Sequence, residues 1–498
     1  MKVYLDGHDF EFAVQQIYMC MFPNSHAEFE SECPDCGDFI KSSLSILENT
    51  AFSETQIRIG KKESAGKAEF SLGEERDAEE IKRIKKRAIK TSFYRASLAF
   101  LPKAPVWGAL TGVRPSKVAA KYINLGKSVP ETACLMREDY FVSSDRALLA
   151  AKCAARAEKM AENTGKSDMS LYAGIPFCAS RCRYCSFVSH SIEKAKHLVS
   201  PYLGMLKKEL DGVSGACREA ELKLRSIYIG GGTPTALSNE ELSFVLDCIS
   251  QNFDIRNIDE YTVEGGRPDT LSIEKIRTIA ASGATRISVN PQTMNDDILR
   301  QMDRRHTAAD VVRAISDVRR VGGLAINTDL IAGLPNDTFD SFKLSVDSLI
   351  ALRPENITVH TLAVKKGSEL HRENYMLPDG DETARMVEYA MQALGEAGYN
   401  PYYLYRQKYM SGNLENVGYS LPGYESDYNN YIMDELHTII SAGAGGVTKL
   451  IDRENARVER IFNPKYPYEY NNADEKIAAT RQKIIDFFNE QEVRESGT

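Results

Sequence analysis

The chain has 498 residues, of which 43% are apolar and 27% charged, with a net charge of −8. This suits two or three ordinary globular domains and gives no support to broad nucleic-acid binding. No apolar run approaches the ~20 residues of a membrane span, Met1–Asp6 has no apolar signal core, and ten cysteines lack dense spacing, so a reducing, cytoplasmic setting without membrane contact is expected.

Residues 1–165 read as an α+β accessory domain. Alternating apolar positions (Ile57, Ile59, Phe70) suggest strands within 55–72, followed by a helix from about Glu74 to Leu101. That helix opens acidic (Glu74, Glu75, Asp77, Glu79, Glu80) and turns basic (Lys82, Arg83, Lys85, Lys86, Arg87, Lys90). The polarity complements the helix dipole, which favours a solvated face over an RNA site. Cys33 and Cys36 form a lone C-x2-C pair; a metal or electron-relay role is the alternative to an incidental spacing.

A polar stretch, Asn163 to Asp168, places a domain boundary. From Leu171 the sequence alternates strand and helix, with strands expected at 171–175, 226–230, 260–264, 286–290, 325–331 and 356–362. Ser238 with Glu241 forms a capping box for one helix. Another, over roughly 338–352, gathers Phe339, Phe342, Val346, Leu349 and Ile350 on one face. Six βα units imply an α/β fold, a partial (β/α)6 TIM-type barrel over 166–365, with chemistry at the C-terminal strand ends. Residues 366–498 are expected to form a mixed, mostly helical extension that could cover a substrate.

After the first strand come Cys178, Cys182 and Cys185, in C-x3-C-x2-C spacing. Three thiolates on a short loop can hold three corners of a [4Fe–4S] cube, leaving the fourth iron open to an outside ligand. S-adenosylmethionine, with an amine and a carboxylate on adjacent atoms, can chelate that iron. A structural zinc site usually takes four ligands, and no second pair follows at finger spacing. Nor does an odd cluster of three pair into disulfides.

Chemistry-bearing residues recur at the same strand ends. Gly231, Gly232 and Thr233 lie in a glycine-rich turn whose backbone can approach a ligand closely. Glu264 ends the third strand, Gln292 follows the fourth and Asp329 lies late in the fifth. They suit ribose hydroxyls or an amino group, with a solvated strand-end acid as the plainer alternative. Arg304, expected on the helix after the fourth strand, could pair with a methionine carboxylate.

The motifs Ile175–Cys178, Gly230–Thr235, Arg286–Ser288 with Gln292, Arg304 with His306 and Thr307, and Asp329–Pro335 occur in this order. Together they resemble the oxygen-independent coproporphyrinogen III oxidase (dehydrogenase) family of radical-SAM proteins. Residues 107–115 and 413–419 resemble its long HemZ-type branch. The resemblance implies an oxidoreductase in which Cys178, Cys182 and Cys185 ligate a [4Fe–4S] cluster. S-adenosylmethionine would be held by Tyr184, Gly231, Gly232, Thr233, Glu264, Gln292, Arg304 and Asp329. A 5′-deoxyadenosyl radical would convert two propionates of coproporphyrinogen III to vinyls, giving protoporphyrinogen IX in anaerobic haem biosynthesis. A low-potential donor of flavodoxin or ferredoxin type is the implied partner.

A tetracarboxylate tetrapyrrole needs cationic partners. Arg406 and Lys408, within the tyrosine-rich run 402–409, are the candidates, against the alternative of a strand packing on the barrel. A haem chaperone, or a radical-SAM enzyme acting on another tetrapyrrole or on RNA, is the competing reading. The chaperone branch resembles H-N-x-x-Y-W near Y-E-S, but here Tyr428 occupies the histidine position and the tryptophan is missing.

Overall fold

The structure, a computed structural model, describes residues 1–498 except 24, 33–36, 74–76, 378–379, 408–409 and 497–498, and no side chain beyond 491. Cys33, Cys36, Lys408, Glu74 and Glu75 therefore lie outside the described residues. The chain divides into two units, Met1–Ala151 and Lys152–Thr498. The division falls inside the helix Ser144–Glu162, earlier than the polar stretch at 163–168. The reason lies in the second half of that helix: Ala161 packs with Tyr428 and Tyr431, and Arg156 reaches Asp427 at 2.9 Å.

In the first unit a five-stranded sheet runs in the order 28–30, 2–6, 39–47, 50–59, 62–71. Its first two pairings are parallel, and the last three strands form antiparallel hairpins. Helices Glu11–Met21 and Ala78–Ser97 bury Ile17, Tyr18, Ile89 and Phe93 with Val3, Ile40 and Ile57 of the sheet. The longer helix begins at Ala78 because the Asp77 carboxylate accepts from the Glu80 amide at 2.7 Å, a cap at its positive end.

The second unit is built on six parallel strands: β1 (Asp168–Ile175), β2 (Lys223–Gly231), β3 (Glu260–Gly266), β4 (Arg286–Val289), β5 (Ala325–Ala332) and β6 (Asn356–Thr361). They are hydrogen-bonded in sequence order, with helices in the intervening crossovers, and form a partial (β/α)6 barrel. Near-continuous burial of β1, β3 and β4 follows from helices on one side and the barrel interior on the other. Helix Asn239–Asn252 starts at the Ser238–Glu241 capping box, and helix Phe339–Leu352 turns Phe342, Val346 and Leu349 into the core.

Residues 366–498, expected to be mostly helical, contribute five strands to the same sheet. β7 (Asn400–Tyr405) and β8 (Asn416–Ser420) add antiparallel to the β6 edge. β9 (Thr438–Ala442) pairs in parallel with β1, and β10 (Val447–Asp452) and β11 (Arg457–Phe462) extend that side. An open barrel leaves two strand edges with unpaired amides and carbonyls, and these segments satisfy both. The helix Asp474–Ser496 then lays Ile477, Ile484 and Phe488 into the core shared with helix Lys196–Glu219. No described helix is long and apolar enough to cross a membrane.

Candidate active site

The loop after β1 is tied to the turn after β2 by backbone hydrogen bonds. The Gly232 amide donates to the Ile175 carbonyl at 2.7 Å and the Thr233 amide to Phe177 at 2.8 Å. This registration sets the cysteine loop against the glycine turn. Gly231 adopts φ +112°, which side-chain-bearing residues rarely tolerate. At Gly232 a Cβ would stand 2.6 Å from the Phe177 carbonyl oxygen and 3.0 Å from Cys178 Sγ, so the close approach needs a bare backbone.

A cavity of about 280 Å³ opens at these strand ends. Cys178, Cys182, Cys185, Tyr184, Gly231, Gly232, Thr233, Glu264, Gln292, Arg304 and Asp329 all line it. Residues spread over 150 positions of sequence are thus gathered round one space. Arg406 is absent from this lining: it is buried, and its guanidinium donates to the Asn413 carbonyl at 2.9 Å. Tyr402, Tyr403 and Leu404 of β7 are buried as well, as packing against the sheet requires.

The sulfurs sit in an electropositive corner. Arg304 Nη1 lies 3.6 Å from Cys182 Sγ, Arg267 Nη1 lies 3.9 Å from the same atom, and Thr233 Oγ1 approaches Cys178 Sγ at 3.5 Å. Burial, reinforced by the neighbouring sulfur of Cys182, pushes the Cys185 thiol up to about 11. Bound iron reverses that balance, because a coordinating thiol gives up its proton.

Glu264 accepts from the Tyr228 hydroxyl at 2.6 Å and from the Gly231 amide at 3.2 Å. Gln292 holds φ +70°, outside the comfortable range of a side-chain-bearing residue, locked by its amide donating to the Asp329 carbonyl and its carbonyl accepting from Ile331, both at 2.9 Å. Its Oε1 is buried without a partner, as is Oδ1 of Asn290. Orphaned acceptors at a cavity wall suit a ligand that brings donors, such as an adenine amino group or an α-ammonium.

Arg304 lies beyond the expected helix, which ends at Gln301. Asp303 turns into the left-handed region at φ +56°, and the Arg304 amide closes the turn on the Leu299 carbonyl at 3.0 Å. Besides Cys182, its guanidinium meets the Tyr184 hydroxyl at 3.0 Å and the carbonyls of Asn290 and Gly266 at 2.5 and 3.3 Å. Only Nε is buried and unpartnered, leaving a single donor for a carboxylate.

Several lining residues are not among the site candidates of the sequence, although Tyr405 and Gln407 lie in the tyrosine-rich run and Asn416 in the 413–419 segment. Arg267, His360, Lys365, Tyr405, Gln407 and Asn416 complete the wall. His360 Nε2 stands 3.8 Å from Asp329 Oδ2 across the β5–β6 pair. The sequence signal that could have found His360 is positional: it points from the end of the sixth strand, as Glu264 does from the third.

A family model described as the radical SAM superfamily matches residues 172–349. The chain is 38% identical over 386 residues to the oxygen-independent coproporphyrinogen-III oxidase-like protein HemZ of Bacillus subtilis, covering 76% of this chain and 77% of that protein. It is 33% identical over 320 residues to the heme chaperone HemW of Lactococcus lactis, covering 63% and 79%. Among solved structures, the coproporphyrinogen III oxidase HemN from Escherichia coli, a radical SAM enzyme, superposes with a TM-score of 0.51 at 20% identity over 65% of this chain and 73% of that one. That last likeness is one of fold.

Proposed function

The chain belongs to the radical SAM superfamily, among its oxygen-independent coproporphyrinogen-III oxidase-like proteins, and on that footing we propose that it oxidatively decarboxylates propionates of coproporphyrinogen III. The cofactors of the family are a [4Fe–4S] cluster and S-adenosylmethionine. When bound, they supply a one-electron reductive cleavage that yields a 5′-deoxyadenosyl radical, the hydrogen-atom abstractor. In net terms a –CH2–CH2–COO⁻ group loses one hydrogen atom, CO2 and one electron to become a vinyl, and two such events give protoporphyrinogen IX. The electron leaving the substrate passes to an acceptor, and a flavodoxin- or ferredoxin-type donor supplies the reducing one.

In this reading Cys178, Cys182 and Cys185 hold three irons. The Gly231–Thr233 backbone and the single free donor of Arg304 hold the methionine end, with Tyr184 bracing that guanidinium. Glu264, Gln292 and Asp329 hold the nucleoside. The part of the lining that comes from β6 to β8 and their loops would take the substrate. Lys365 is its cation, lining the cavity in place of the buried Arg406, and His360, Tyr405, Gln407 and Asn416 are its hydrogen-bonding groups. Lys408, outside the described residues, keeps its proposed propionate role on sequence grounds alone.

The single observation that carries the proposal is this shared cavity, lined by the three thiols together with Lys365 and the polar side chains of the β6–β8 region. Similarity to heme chaperones favours a second reading, haem carriage. Against it, Tyr428 is buried and stacked on Tyr228 at 4.5 Å between centroids, an unsuitable place for an axial ligand. Anaerobic incubation of the reconstituted full chain with coproporphyrinogen III, S-adenosylmethionine and dithionite is expected to give vinyl product. Stoichiometric haem uptake with no turnover would replace the oxidase reading by the chaperone.

A further inference from the structure

Arg267 has no part in the roles assigned so far, yet it is among the most constrained side chains at the site. It follows β3 between two glycines and Pro268, and only 3% of it is exposed. Its Nη1 donates to the Ser180 carbonyl at 3.1 Å and to Ser180 Oγ at 2.8 Å, inside the cysteine loop, and stands 3.9 Å from Cys182 Sγ. Nε and Nη2 meet the two oxygens of Asp269 at 3.2 and 3.3 Å, a bidentate clamp. His306 Nδ1 lies 3.6 Å from the same carboxylate. The guanidinium is therefore fixed on the sulfur by two residues, Ser180 and Asp269, the second of them held in turn by His306.

We propose that Arg267 is a positioning residue that raises the reduction potential of the cluster through the Cys182 sulfur. The inference rests on the reading of Cys182 as a cluster ligand. One-electron reduction of a [4Fe–4S]2+ centre adds a negative charge to the cube and its thiolates. A donor and a fixed positive charge at a ligand sulfur stabilise that reduced state, and in a water-poor site they are weakly screened. A guanidinium keeps its proton at any working pH, so the effect is permanent. Arg304 shares the sulfur, but it retains one donor, Nε, without a protein partner. The hydrogen bonds of Arg267 go only to the loop and to its own clamp.

The geometry makes two predictions of opposite sign. Arg267→Gln removes the charge and should move the midpoint negative by at least a tenfold change in the reduction equilibrium, 59 mV for one electron. Asp269→Asn removes the countercharge and keeps the guanidinium, and should move the midpoint positive. Arg267→Lys, which keeps a charge without the fork, should fall between wild type and Arg267→Gln. The test is an EPR-monitored titration of anaerobically reconstituted full chain with dithionite and mediators, alongside iron content.

If the Asp269 and Arg267 variants both shift negative, general loosening explains them and the inference fails. It fails equally if both carry wild-type iron and titrate where wild type does. The ligand reading is tested separately by Cys182→Ala: unchanged iron and spectrum in that variant would remove the reading itself.

Discussion

Tyr228 and Glu264 face each other from adjacent strands, and the hydroxyl donates to one carboxyl oxygen at 2.6 Å while the Gly231 amide takes the other. Burial raises Glu264 from 4.5 to about 7; the Asp329 charge adds to the rise, and the two hydrogen bonds oppose it. Between those values the folded chain holds a proton that the unfolded chain has released. This contribution to stability is complete below the unfolded value and is lost as pH rises through 7. The urea midpoint of the apo-protein should therefore fall between about pH 5 and pH 8 more steeply in wild type than in Glu264→Gln. Parallel curves for the two would show that Glu264 is not the group responsible.

Gly232→Ala places a methyl 2.6 Å from the Phe177 carbonyl, a backbone atom that cannot swing away. Overpacking of this kind costs roughly 1–3 kcal/mol. Because the displaced partner is the cysteine loop, reconstituted iron content should drop along with thermal stability. Full iron retention at unchanged melting temperature would contradict the close approach.

Lys365 lines the cavity, and burial pulls its pKa down. A carboxylate partner restores the favourable environment that water supplied. Hydrogen bonds to charged groups are worth about 1.5–3 kcal/mol, so Lys365→Met should raise the KM for a propionate-bearing substrate about 10- to 100-fold. Uncoupled cleavage of S-adenosylmethionine should persist. An unchanged KM would move the substrate away from this wall.

Glu260 and Arg286 form a buried pair at 3.6 Å, and the carboxylate also accepts from Thr262 Oγ1, Ser426 Oγ and the Asp427 amide at 2.7 to 2.9 Å. Removing one partner of a buried pair typically costs about 3–5 kcal/mol. Glu260→Ala should destabilise the barrel unit by that order in denaturant titration. Arg286→Met in the same background should recover part of the loss, since no orphaned charge then remains.

The barrel strands were readable because each is an apolar run closed by glycine or a polar residue, and the strand-end chemistry fell into line once the runs were set in order. Thr438–Ala442 was not readable as a sheet strand. Five residues in β9 could as well close a helix, and what selects the strand is the unpaired edge of β1, a property of distant sequence. The Arg304 contact with Cys182 was hidden for a related reason. The helix stops at Gln301 and the left-handed turn at Asp303 redirects the chain, and the sulfur Arg304 meets belongs to a loop 122 positions away. Arg267 offered no spacing at all: its role is defined by what surrounds it.

Pairing of β9 with β1 has a consequence for how the protein is made. The strand that leads into the cysteine loop gains its outer neighbour only after Ala442 has left the ribosome, so throughout most of synthesis that edge is bare. A nascent or prematurely terminated chain would carry its three thiols beside an adhesive, unsealed border. Closure of the sheet beside the cysteine loop therefore waits for strands that come last in the unit.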